Sequence, residues 1–211
     1  LRVHFGQYPG EPGLREELAE ALFAAGRPEQ ALAELQELAA IRPDDPEAAF
    51  TLAVAYLRVG SPDRAQALFE RVVEARPIPQ THLLIGRTLR DYQHFEAARA
   101  RFETALEMDP DVPRARFYLG TLVLQSQGEI PLEEAIDYFE AELRAQVEAG
   151  ADPSADATTQ LVLGLSLTEA RRFEEAIAHL RLAARADGSA RDAYHYLGRS
   201  LLALDRVDEA I

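Results

Sequence analysis

A unit of 34 residues recurs along this chain, and the recurrence limits the fold more than any other feature of the sequence. Units begin at Pro12, Pro46, Pro79, Pro113, Ala157 and Arg191, at steps of 34, 33, 34, 44 and 34 residues, and the sixth is cut short at Ile211. One slot holds alanine in every unit: Ala31, Ala65, Ala98, Ala135, Ala176 and Ala210. Twelve residues earlier stands a small residue, as Ala19, Ala53, Gly86, Gly164 and Gly198, each preceded by Leu or Ile. In the fourth unit Gly120 lies fifteen residues before Ala135, so three residues are added there. Four residues after the alanine the slot is large and apolar: Leu35, Phe69, Phe102, Phe139 and Leu180. Pro43, Pro77 and Pro110 close the first three units.

Proline gives an independent test of helix boundaries. It suits the first helical position, where no amide donor is needed, and it breaks helix interiors. Pro12, Pro28, Pro46, Pro62, Pro79, Pro113 and Pro131 all fall where a helix is expected to start. Asp45 and Ser61 are suitable N-caps, and Gly26 and Gly60 stand where a left-handed residue would end a helix. Each unit therefore reads as helix A, a short turn and helix B. The expected A helices are 12–25, 46–59, 79–92, 113–127, 156–170 and 190–204; the B helices are 28–42, 62–76, 95–108, 131–149, 173–186 and 207 onward. A glycine inside a helix costs about 1 kcal/mol against alanine, so Gly86, Gly120, Gly164 and Gly198 must gain something by it. The expected gain is close approach of the paired backbones, with the slot alanine giving room.

These features, taken together, resemble the tetratricopeptide repeat family: the 34-residue period, the Leu-Gly pair, the Ala-x3-Phe spacing and the closing proline. The resemblance runs over residues 12–211, as repeats 12–45, 46–78, 79–112, 113–156 with insertions, 157–190 and 191–211. The family's early Trp slot holds Arg15, Ala49, His82, Arg116, Gln160 and Tyr194, and its closing proline becomes Val147 and Gly188 in units four and five. The resemblance implies an all-α, right-handed solenoid of helix-turn-helix repeats whose concave face is lined by A helices. It also implies a scaffold or adaptor that holds a peptide or protein segment in that groove. Residues 1–11 are expected to be an N-terminal cap or linker, with Val3, Phe5 and Tyr8 able to cover the first helix pair. Around 146–154 the fourth unit gains about two helical turns, read as a long helix B to Gly150 and an Asp-Pro-Ser loop.

Composition narrows the function. The net charge of −14 repels phosphate backbones and anionic lipid, so neither nucleic acid nor membrane is an expected partner. No apolar run approaches the ~20 residues that span a bilayer. Cysteine is absent, which excludes disulfides, thiolate metal sites and cysteine nucleophiles and fits a reducing, cytoplasmic setting. All 22 basic residues are arginine, and the abundance of Arg and Ala resembles a GC-rich bacterial gene.

One stripe of each A helix is not used by the Leu-Gly core. The expected groove residues on these stripes are Phe50, Val54, Arg58, Leu83, Arg87, Arg90, Arg114, Phe117, Thr121, Leu161 and His195. Arg58, Arg87, Arg90 and Arg114 are expected to converge among apolar neighbours. Arginine grips carboxylates bidentately, so the expected partner segment carries acidic and hydrophobic side chains, unless these arginines pair with local carboxylates such as Glu47 or Asp91. Two alternatives are a homodimer through the C-terminal repeat, where Leu201, Leu202 and Leu204 would be uncovered, and a regulatory repeat domain of a larger protein.

Catalysis is not expected, nor is any cofactor or metal. The five histidines show no His-x3-His spacing, and the glycines form neither GxGxxG nor GxxxxGK. The acidic pairs Glu16-Glu17, Glu133-Glu134 and Glu174-Glu175 diverge by about 100° around a helix, so they read as solvated faces. His82 is expected to be half-buried packing, and His195 lies on the groove stripe.

Overall fold

The structure is a computed structural model, and it describes residues 12–125, 132–185 and 190–210. Among these residues there are twelve α-helices, one 3₁₀ turn and no strand. In chain order they are α1 Pro12–Ala24, α2 Pro28–Ile41, α3 Pro46–Arg58, α4 Pro62–Ala75, α5 Pro79–Asp91 and α6 Phe95–Met108. They continue as α7 Ala115–Gln125, α8 Leu132–Glu148, the 3₁₀ turn Pro153–Ala155, α9 Ala157–Glu169, α10 Phe173–Ala183, α11 Ala190–Ala203 and α12 Val207–Ala210. The architecture is all-α, a solenoid-class succession of helix pairs. The chain divides into two compact units, Leu1–His94 and Phe95–Ile211, and the division falls in the turn between α5 and α6. The expected cap or linker at 1–11 and the inserted turn at Gly128–Ile130, with Pro131, lie outside the described residues.

Local chemistry explains the boundaries. Pro28, Pro46, Pro62 and Pro79 occupy the first turns of α2 to α5. Asp45 caps α3 by accepting from the Glu47 amide at 2.9 Å, and that bond holds its carboxyl below the ordinary carboxylate range. Ser61 departs from expectation, because its side chain makes no capping bond to α4. α7 also departs: it starts at Ala115 rather than Pro113, because Arg114 adopts a left-handed backbone with φ 74°.

The turns from A to B repeat one hydrogen-bond pattern. Gly60 has φ 71°; its amide donates to Leu57 O at 3.0 Å, and the Ser61 amide reaches Tyr56 O at 2.8 Å. Gly26 does the same at φ 69°. The equivalent position in later repeats is held by Gln93, Arg171 and Asp205 at φ 64°, 62° and 59°, with the same pair of bonds. The motif therefore survives without glycine, at a cost of roughly 1–2 kcal/mol for each left-handed L-residue.

The repeat slots form the core. Ala31, Ala65, Ala98, Ala135 and Ala176 are all 0% exposed, and Phe69, Phe102, Phe139 and Leu180 are equally buried. Gly120 and Gly164 make room for a side chain of helix B, and at Gly164 the expected close backbone approach is present as well. A Cβ on Gly120 would sit 2.6 Å from the Phe139 ring, and one on Gly164 would sit 2.6 Å from Leu180 Cγ and 3.3 Å from the Leu180 amide nitrogen. At these two positions glycine on helix A is the socket for the large apolar side chain of helix B. Gly198 of α11 has nothing within 4 Å of that position.

The sockets give paired expectations. Gly164→Ala places a methyl against an immobile Leu180, and overpacking of this kind costs about 1–3 kcal/mol. Gly198→Ala keeps the helix-propensity gain without a clash, so it stabilises by roughly 0.5–1 kcal/mol. Urea unfolding of the two variants should move in opposite directions, and equal shifts would dismiss the socket.

Candidate functional site

In the first unit, α3 presents Phe50 and Val54 half-buried, and α5 presents Leu83 half-buried with Arg87 toward solvent. The Phe50 ring stands 5.8 Å from Phe69 in a tilted pair, which fixes it over the core. It lines two hollows. One, of about 240 Å³, is lined by Phe23, Leu35, Phe50, Val54 and Ala55, with Glu20 and Arg58 at its lip. The other, of about 330 Å³, is lined by Pro46, Phe50, Val72 and Leu84, with Glu16, Glu47 and Arg76 around it. Thr51 borders both.

Arg58, Arg76 and Arg90 of this unit each contact one of its own carboxylates. Arg58 donates to Glu20 at 2.7 Å and lies 4.0 Å over the Phe23 ring. Arg90 contacts Asp91 through Nε and Nη2 at 3.1 and 2.8 Å. Arg76 is 3.5 Å from Glu47. Exposed pairs like these are weak, about 0–1 kcal/mol each, yet they occupy the donors a ligand carboxylate would need.

The second unit places the remaining candidates differently. Arg114 is clasped: its amide donates to Glu142 Oε1 at 2.9 Å, and its side chain reaches Asp156 Oδ2 at 2.7 Å and Thr159 Oγ1 at 3.1 Å. The guanidinium lies 3.7 Å over the Phe117 ring. Phe117, expected in the groove, is instead buried at 7% exposure among Val123, Ile136, Phe139 and Leu163. Its register places it beneath Arg114 and 5.8 Å from Phe139. Thr121 is half-buried and returns its hydroxyl to Tyr118 O at 2.8 Å. Leu161 is half-buried on α9, and His195 is exposed on α11, with its ring edge against Tyr196.

The added residues after α8 build this clasp. α8 runs to Glu148, Gly150 turns the chain at φ 79°, and Asp156 caps α9. Asp156 accepts from the Thr159 amide and hydroxyl at 3.1 and 2.6 Å and from Gln146 Nε2 at 2.8 Å. Burial pushes its carboxyl up, but the bonds from Thr159 and Gln146, with Arg114 nearby, hold it below the usual carboxylate range. On the same side, Gln160 Nε2 donates to Pro153 O at 2.9 Å, which leaves Oε1 to accept from His179 Nδ1 at 2.6 Å. His82 is more deeply buried than expected, at 6% exposure. Among the described residues no group of three His, Asp or Glu side chains gathers as metal ligands would, and no helix is long and apolar enough to cross a membrane.

Several residues at the Phe50 hollows escaped the sequence reading, among them Glu16, Glu20 and Phe23 of α1. The signal was present. One period before Phe50 and Val54 stand Glu16 and Glu20, so the first repeat's stripe is acidic where the second is apolar.

Models of families described as tetratricopeptide repeat match residues 5–49, 22–86, 83–156 and 161–211. No curated protein matches the chain. Among solved structures, PilF of Pseudomonas aeruginosa is 21% identical over 94% of this chain and 86% of its own, with a TM-score of 0.61. A part of a repeat-containing protein of Cytophaga hutchinsonii is 17% identical over 90% and 71%, with a TM-score of 0.63. YrrB, described as having an unusual peptide-binding site, is 19% identical over 92% and 95%, with a TM-score of 0.54.

His179 makes stability depend on pH. Burial holds its imidazole below the ordinary histidine range, against the opposing pull of Glu140 and Glu175 and with Arg172 reinforcing it. The unfolded chain therefore takes up the proton first, near pH 6.5, so stability is lost as pH falls through about 6.5 and downward. Thermal unfolding between pH 7.5 and 5.5 should show this loss, and His179→Gln should flatten it; an unchanged slope in the variant would exclude His179 as its source.

Proposed function

Because the chain belongs to the tetratricopeptide repeat family, we propose that it is a protein-interaction scaffold whose A-type helices hold a segment of a partner protein. The observation that carries this reading is the pair of hollows around Phe50, apolar at the base and polar at the lip. Concave apolar sites with a few fixed polar groups are the usual form of a binding site. The peptide-binding site described for YrrB, a protein of similar fold, supports the same reading. Of the acidic and hydrophobic partner groups expected from sequence, the hydrophobic ones find the better receptor. Arg58, Arg90 and Arg114 each already face a carboxylate of the chain. Catalysis forms no part of this reading, and the net charge of −14 disfavours nucleic acid.

A second reading, self-association, draws on α11. Tyr194 and Leu202 are 62% and 58% exposed there, although Leu201 is buried.

Both readings are open to direct measurement. At 23.4 kDa the chain suits methyl NMR. Peptides captured from a random dodecapeptide library should shift the methyl signals of Val54, Leu83 and Leu161 and leave those of the outer B-helix faces in place. If no library peptide shifts any A-helix methyl, the scaffold reading fails. For self-association, light scattering should show a mass that rises with concentration, and Leu202→Asp should abolish the rise; a constant mass would remove that reading.

A further inference from the structure

We propose that the Phe50 hollows select a partner segment carrying one apolar side chain beside one basic side chain, an inference that rests on the scaffold reading and reverses the charge expected from sequence. The inner hollow, walled by Phe23, Phe50 and Val54, has its lip charges closed on one another, since Arg58 is bonded to Glu20 at 2.7 Å. It therefore offers an apolar base under a neutral rim, which suits a Leu, Met or Phe side chain. The neighbouring hollow differs. Its base is Phe50, Val72 and Leu84, the last 46% exposed, and its rim carries Glu16 and Glu47 against Arg76 alone.

Among the described residues Glu16 makes no ion pair, and the Arg76–Glu47 contact is long, at 3.5 Å between largely exposed groups. This rim is net negative. A Lys or Arg side chain matches it in both parts: the aliphatic stem covers Phe50 and Leu84, and the cationic head meets Glu16 and Glu47. The whole chain, at net charge −14, draws a cationic segment toward this face before contact is made. Phe50 and Thr51 line both hollows, so the apolar and basic residues of the ligand lie side by side.

The test uses the full chain and a phage-displayed library of random dodecapeptides, followed by titration of fluorescein-labelled versions of the enriched peptides. The expected result is enrichment of an apolar residue close to Lys or Arg. Glu16→Gln with Glu47→Gln should then weaken binding about fivefold, as the loss of two exposed ion pairs predicts. Thr51→Gln, which lengthens a half-buried side chain bordering both hollows, should weaken it more than tenfold, with a cooperative melting curve in each variant showing that folding is intact. Enrichment of acidic peptides overturns the charge assignment. So does basic-peptide binding that the Gln variants leave unchanged. Peptides that bind, yet ignore Thr51→Gln and depend on Leu161 instead, leave the scaffold reading standing and overturn this one. Capture of no peptide removes both. A dimer that Thr51→Gln dissolves assigns the hollows to a second copy and overturns the proposal as well.

Discussion

The structure depends on a socket. In the second unit a glycine of the A helix receives the large apolar side chain of the B helix, Phe139 into Gly120 and Leu180 into Gly164, at distances that exclude even a methyl group. The slot alanine four residues earlier lies fully buried on the same B helix. Small, small and large thus interlock at native packing density, and the helices of a pair are held by shape rather than by polar bonds. A lone pair could not bury its remaining apolar stripe, so stability is shared between neighbours along the array. That is why one period can be read over nearly the whole chain.

Polar groups do a different job. Gln146, Asp156, Thr159 and Arg114 form a connected network at the place where the period is broken, joining the start of α7, the end of α8 and the start of α9. The added residues after α8 are not loose surface; they carry the cap residue Asp156 into position. Arg114 pays for its left-handed backbone with bonds from both its amide and its guanidinium. Arg58, Arg114 and Arg199 in the same way link one helix to a carboxylate borne by or capping another, at Glu20, Asp156 and Glu169.

What remains exposed on the A helices of the first unit is apolar and half-buried: Phe50, Val54 and Leu83. Such side chains are already ordered by the core beneath them, so a partner that covers them loses little conformational entropy on the scaffold side.

Helix placement was legible because its causes are local. Proline at the first turn, glycine at φ 69° and 71°, and the Leu-small-Ala-large spacing each act within one repeat, and repetition multiplies a weak signal. The failures were local as well where a partner lay far along the chain. Pro113 promised a helix start, and the clasp on Arg114 moved it to Ala115. Phe117 shared the stripe of Phe50 by position, yet it is buried against Phe139. Arg58 and Arg114 read as ligand groups until their carboxylates appeared, 38 and 42 residues away. Period and turn chemistry belong to the chain itself, since neighbours in sequence supply every atom involved. Which charges pair, and which apolar side chains stay open, belong to the tertiary structure, because only packing brings together groups that one repeat cannot see.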